Sequence, residues 1–215
     1  TAADAQTREV YCFSVADGSL LWRRQVATPR STPPANEPMD MTGYAAPTPA
    51  VDGRALYVSF ANGDVAAFDM DGRQLWAHSF GPINNIYGHA TSLLLHGEML
   101  LVLLDHGEVN EGISRLLALD CRTGKTLWQN RRPVGSSWST PLVISSDQGP
   151  QVVTAAKPWV IAYELEKGQE IWRVDNGRAT VEVAPGFGPS VIAWTVDGVN
   201  MLQSSFPTPA GMSWM

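Results

Sequence analysis

The chain has 215 residues, 44% of them apolar and only 17% charged, a balance that suits a sheet protein covered on both faces better than a set of exposed helices. A net charge of −6 without a clustered basic surface argues against nucleic acid as a partner. No run of 18 or more apolar residues is present to span a membrane.

In chain order, the N-terminus Thr1-Ala2-Ala3-Asp4 carries neither an initiator Met nor a signal peptide. Tyr11 to Trp22 reads as two strands joined at Asp17-Gly18, and Arg23-Arg24 after them as a solvated strand end. Pro29 to Thr42 holds four prolines and is long for a connection within a compact domain, which marks it as functional or flexible. Pro47 to Val51, Ala55 to Phe60, Val65 to Asp69 and the segment ending at Trp76 read as four strands. Their turns are Asp52-Gly53, Asn62-Gly63 and Asp71-Gly72. Asn84 to His89 leads into the most apolar stretch, Leu93 to Leu104, which His96-Gly97-Glu98 breaks into two strands. An acidic connection, Asp105 to Ser114, follows before the strand ending at Asp120. Arg131-Arg132 again reads as a solvated strand end, and Ser136 to Ser139 repeats the position of Asn84 to His89. Further turns are expected at 145–150, Lys157-Pro158 and 166–168, then two last strands at Ser190 to Val196 and Val199 to Gln203.

One phrase recurs along this series. Asp17 to Trp22, Asp71 to Trp76, Thr123 to Trp128 and Lys167 to Trp172 each place a glycine (Gly18, Gly72, Gly124, Gly168) four residues before a tryptophan. The rings stand at positions 22, 76, 128 and 172, hence 54, 52 and 44 apart, the spacing of four-stranded propeller blades. The glycine supplies the positive φ of a tight turn, and the ring is expected to fill the gap to the neighbouring blade. The expected fold is therefore all-β, a partial β-propeller of four-stranded antiparallel blades. It comprises a half blade at 11–28, whole blades at 44–80, 88–130 and 139–174, and a half blade at 187–206. Such a chain is either a slice of a longer protein or a small ring closed by joining its two halves. Open blade edges would invite self-association.

Ala118-Leu119-Asp120-Cys121-Arg122-Thr123-Gly124-Lys125-Thr126-Leu127-Trp128 resembles the tryptophan-docking motif Ala-x-Asp-x-x-Thr-Gly-Lys-x-x-Trp of the PQQ-like, or quinoprotein alcohol dehydrogenase-like, propeller repeats. Ala162 to Trp172 meets it with Glu164 and Lys167 substituted, and Ala67 to Trp76 is one residue shorter. That family holds both PQQ-dependent dehydrogenases and non-catalytic proteins resembling BamB, and the compact blades and short turns here are similar to the second group. The resemblance implies a binding scaffold outside the cytoplasm, in the periplasm or cell envelope. It would hold a protein partner or extended ligand through its blade loops, with no catalytic, cofactor or metal residues and no cofactor. The alternatives are a fragment of a PQQ- and Ca²⁺-dependent dehydrogenase, or the sensor domain of a larger receptor.

The enzyme alternative needs an oxygen-ligated Ca²⁺ and a proton-accepting carboxylate. Asp105, Glu108, Asn110 and Glu111 come nearest but lack calcium-loop spacing, so a solvated acidic loop is expected. Cys12 and Cys121 lie 109 positions apart, unlike the adjacent pair of the alcohol dehydrogenases, and pair only if the fold brings them together. No His falls in a nucleophile–base or zinc-site context. The candidate binding surface is Tyr87, His89, Trp138 and Trp159, rings outside the docking register. For Tyr87 and His89 the competing expectation is a hydrogen bond to neighbouring backbone.

Overall fold

A computed structural model describes residues 1–147, 149–175, 179–184, 190–196 and 199–200. Two compact units divide the chain, Thr1–Arg173 and Val174–Met215. The first unit begins with a three-stranded sheet of β1 (Ala2–Ala3), β2 (Arg8–Phe13) and β3 (Leu20–Gln25). Next come three four-stranded sheets in simple meander order. They are β4 (Ala50–Val51), β5 (Ala55–Ser59), β6 (Asp64–Asp69) and β7 (Gln74–Ser79); β8 (Leu94–His96), β9 (Met99–Leu104), β10 (Arg115–Asp120) and β11 (Thr126–Arg131); and β12 (Leu142–Ile144), β13 (Gln151–Ala156), β14 (Trp159–Glu164) and β15 (Glu170–Asp175). In the second unit β16 (Ala179–Ala184), β17 (Ser190–Val196) and β18 (Val199–Asn200) pair antiparallel in that order.

Each terminal sheet thus holds three strands where two were expected. The extra strand β1 is only two residues long, too short to show an alternating pattern. The extra strand β16 precedes the expected half blade, and the turn Asp197-Gly198 and residues 201–206 lie outside the described residues.

The sheets β4–β7 and β8–β11 are buried on both faces, and the two-residue period of a strand divides their side chains between two cores. Along β9, Leu100, Val102 and Leu104 enter a core shared with Tyr57, Val65 and Ala67 of the preceding blade. Leu101 and Leu103 enter another with Val152, Ile161 and Tyr163 of the following one. β10 splits likewise, Leu117 and Leu119 one way, Leu116 and Ala118 the other. A third core joins Val10 and Val26 of the first blade to Val58, Phe60, Ala66 and Phe68. This double burial explains why β9 reads as a continuous apolar run rather than an alternating one.

Between the last two strands of the first three blades the register shifts at one equivalent point, Cys12/Phe13, Ala67/Phe68 and Ala118/Leu119. The bulge precedes the turn of the recurring phrase. Asp120 Oδ1 accepts from Thr123 N (2.7 Å) and Thr123 Oγ1 (2.5 Å), and Gly124 N donates to Asp120 O (2.8 Å). The Thr123 hydrogen bond, first among the causes, holds the Asp120 carboxyl below its usual range. The tryptophan of one blade lies on the glycine of the next. Trp22 Nε1 donates to Met70 O (3.1 Å), Trp76 Nε1 to Cys121 O (2.8 Å) and Trp128 Nε1 to Leu165 O (3.0 Å). A Cβ built on Gly72 or Gly124 would stand 2.8 Å or 2.6 Å from the Trp22 or Trp76 ring, and one on Gly168 would overlap Trp128. Gly18 has no such neighbour, and Trp172 Nε1 instead donates to Gln151 Oε1 of its own sheet (2.8 Å).

Candidate functional site

The meander sorts the connections of the first unit onto two ends. One end carries the short turns at 52–54, 70–73, 97–98, 121–125, 145–150 and 165–169. The other carries the blade-to-blade crossings 26–49, 80–93 and 132–141 together with the loops 60–63, 105–114 and 157–158. All the long segments singled out in the sequence fall on this second, loop-bearing end.

The crossings are tied together by backbone. Ala35 N and Met39 N donate to Ile83 O (2.9 Å) and Ile86 O (3.0 Å), so the proline-rich crossing lies along the next one. Gly107 N donates to Asn84 O (2.7 Å), and Ser136 N donates to Gly107 O (3.0 Å), continuing the chain of contacts across three blades. At its centre the buried Asn85 accepts at Oδ1 from Tyr87 N (3.0 Å) and from Trp138 Nε1 (2.8 Å). The Tyr87 and Trp138 rings meet edge to face at 5.1 Å. Trp138 is nonetheless 43% exposed, and Ile86, Met39, Met41 and Val109 on the adjoining loops are exposed too. These side chains form an apolar surface whose scaffold is fixed by hydrogen bonds, rimmed by the exposed acids Glu37, Asp40 and Glu108.

Two of the four candidate surface residues do not belong to it. His89 is only 4% exposed: it lies behind the loops, its backbone N donating to Ala61 O (2.8 Å) and its Nε2 without a partner. The expectation that its side chain bonds neighbouring backbone is also not met. Burial, then the charge of nearby His106, pushes its pKa down to about 4. Trp159 packs against the core between the third and fourth blades, with the Arg173 guanidinium 5.0 Å from its ring centre.

Of its four candidate residues, the acidic loop is solvated at Glu108, Asn110 and Glu111, as expected, and buried only at Asp105. Glu111 Oε2 accepts from Glu108 N (2.7 Å) and closes a capping box on the 3₁₀ turn Val109–Glu111. Asp105 is buried and takes both arms of the Arg132 guanidinium (2.7 and 3.0 Å) and Ser137 Oγ (2.6 Å). Arg132 also donates to Thr154 Oγ1 (2.6 Å) and Tyr163 OH (2.7 Å) of the next blade. The expectation of a solvated strand end therefore fails at Arg132, which is 1% exposed, and holds at Arg131. Two adjacent arginines alternate across a strand end, so one faces the core and the other water. Nothing in the local sequence marks Arg132 as the buried one, because its acceptors come from three distant segments. Cys12 and Cys121 are both free thiols. Among the described residues no three His, Cys, Asp or Glu side chains converge to hold a metal ion, and no helix is long and apolar enough to cross a membrane.

The family model described as outer membrane protein assembly factor BamB matches residues 2–131 and 112–192. The chain belongs to this family. The BamB protein of Alkalilimnicola ehrlichii is 27% identical over 174 residues, 80% of this chain and 40% of that protein. The crystal structure of BamB from Moraxella catarrhalis superposes with a TM-score of 0.54 at 15% identity, over 78% of this chain and 46% of the other. A quinohemoprotein alcohol dehydrogenase from Pseudomonas putida gives 0.52 at 15% identity, over 80% and 32%. The shared fold is the PQQ-like propeller, and this BamB-family chain spans less than half the length of each of these proteins.

Proposed function

We propose that this chain is a non-catalytic docking module of the cell envelope that binds a protein of the outer-membrane assembly machinery through its loop-bearing end. The observation that carries this reading is the apolar surface of Trp138, Tyr87, Ile86, Met39 and Val109. Trp138, Ile86, Met39 and Val109 stay exposed there although the backbone beneath them is pinned. A rigid aromatic pair with one ring exposed loses little conformational freedom on binding and is typical of interface hot spots. The acidic rim of Glu37, Asp40 and Glu108 favours a partner with a basic border and makes association weaken with salt. Membership of the BamB family supports the choice of machinery and the extracytoplasmic location.

The test is binding of the purified assembly machinery to this chain and to two variants, Ile86→Asp and Leu75→Asp, the second on an exposed residue of β7 outside the loop surface. Ile86→Asp should weaken binding roughly tenfold or more while Leu75→Asp leaves it unchanged. Equal affinity for all three would defeat the proposal. The dehydrogenase reading, which the alcohol dehydrogenase fold likeness keeps in view, is tested by adding PQQ and Ca²⁺ with an alcohol and a redox dye. Dye reduction would establish it.

A further inference from the structure

Between the second and third blades, beside the loop-bearing end, lies a cleft of about 470 Å³ walled by Phe80, His106, Glu111, Gln129, Arg115 and Arg131. Arg115 and Arg131 are direct cross-strand partners of β10 and β11, so their side chains leave the same sheet face as immediate neighbours. Like charges in that relation repel and weaken the pairing. Neither arginine forms an ion pair among the described residues. One NH2 group of Arg115 donates to Phe80 O (2.9 Å), but its Nε is buried with no acceptor. A buried cationic donor left unmatched is costly. Glu111, the acidic residue of the wall, is committed to Glu108 N. His106 Nδ1 accepts from Asn84 N (3.3 Å), which leaves Nε2 as the donor of the neutral ring.

We propose that this cleft binds a carboxylate, held between the Arg115 and Arg131 guanidinium groups. Two arginines against one glutamate leave a single uncompensated positive charge, which a monoanion matches and a phosphate dianion exceeds. A carboxylate held between the two guanidinium groups would remove the cross-strand repulsion. It could be a free small acid or the side chain of an acidic residue on a docked protein. The site is independent of the apolar surface, since a small acid reaches it without touching Trp138 or Tyr87.

The experiment follows the arginine side-chain Nε–Hε resonances of the isotopically labelled chain by NMR. Acetate is added at constant ionic strength maintained with chloride, with inorganic phosphate and a capped Gly-Glu-Gly peptide in parallel series. The Arg115 signal should move saturably with acetate and not with chloride alone. Arg131→Gln, at an exposed position, and Arg115→Lys should each weaken that binding by roughly tenfold or more. If Arg115→Lys does not fold, Arg131→Gln carries the test alone. Tighter binding of the peptide than of acetate identifies a protein side chain as the natural ligand, and the reverse identifies a small acid; both support a carboxylate site. Shifts that follow ionic strength alone, that survive both substitutions, or that saturate earlier with phosphate than with acetate overturn it. Any of those results leaves the docking proposal standing.

Discussion

Gly124→Ala isolates the contact by which one blade holds the next. Gly124 has φ +69°, and a Cβ there would meet Trp76 Cδ2 at 2.6 Å and His78 Nε2 at 2.8 Å. Gly18 occupies the same place in the first phrase with φ +72° and nothing within 4 Å. Both alanines incur the left-handed backbone cost of about 1–2 kcal/mol. Only Gly124→Ala must also displace a packed indole, at about 1–3 kcal/mol more. The expected losses are therefore about 1–2 kcal/mol for Gly18→Ala and about 2–5 kcal/mol for Gly124→Ala, read from urea unfolding at constant m. A Trp76→Leu background sharpens the comparison. With the ring gone, the cost of Gly124→Ala should fall much closer to that of Gly18→Ala, because the His78 ring can shift into the space the indole leaves. Equal losses for the two alanines in the natural background would refute the claim that the glycine exists to receive the ring.

Other consequences follow from the buried polar groups and the exposed ring. Arg132→Met leaves Asp105 as an uncompensated buried charge and should destabilise the chain by about 3–5 kcal/mol in thermal unfolding, whereas Arg131→Met should change little. His89 has a folded pKa of about 4 against 6.5 when free. The unfolded chain therefore binds the proton first, and stability complete above pH 6.5 falls as the pH drops towards 4, by up to about 3 kcal/mol. His89→Gln should flatten that part of the stability–pH curve. Its remaining slope would come from His106, which burial and then the Arg115 charge shift in the same direction. Trp138→Ala should leave urea stability within about 1 kcal/mol, since the ring is half exposed, yet cost about 2 kcal/mol or more of partner affinity by calorimetry.

What the sequence disclosed depended on whether the cause was local. A glycine four residues before a tryptophan is a turn and a strand in one phrase, so the blade-forming hairpins could be read directly. The apolar segment Leu93 to Leu104 likewise announced two strands, broken at His96-Gly97-Glu98. Strand β1 was too short to leave a pattern. At the site, Trp138 stood out because it breaks the tryptophan register and Tyr87 because it lies in a blade crossing, and they do meet. His89 differed because its burial is decided by the Ala61 loop of the preceding blade, far away in sequence. The buried Arg132–Asp105 pair and the facing Arg115 and Arg131 were hidden for the same reason. Their meaning lies in strand register and in neighbours 16 to 31 positions away.

Hydrogen exchange of the chain, alone and bound to the purified assembly machinery, tests the docking account most directly. Docking through the loop-bearing end predicts protection in the crossings around Met39, Ile86 and Trp138 and in the loop at Val109, with none at the short turns 52–54, 97–98 and 121–125. Protection confined to those short turns, or no protection at either end, would contradict it.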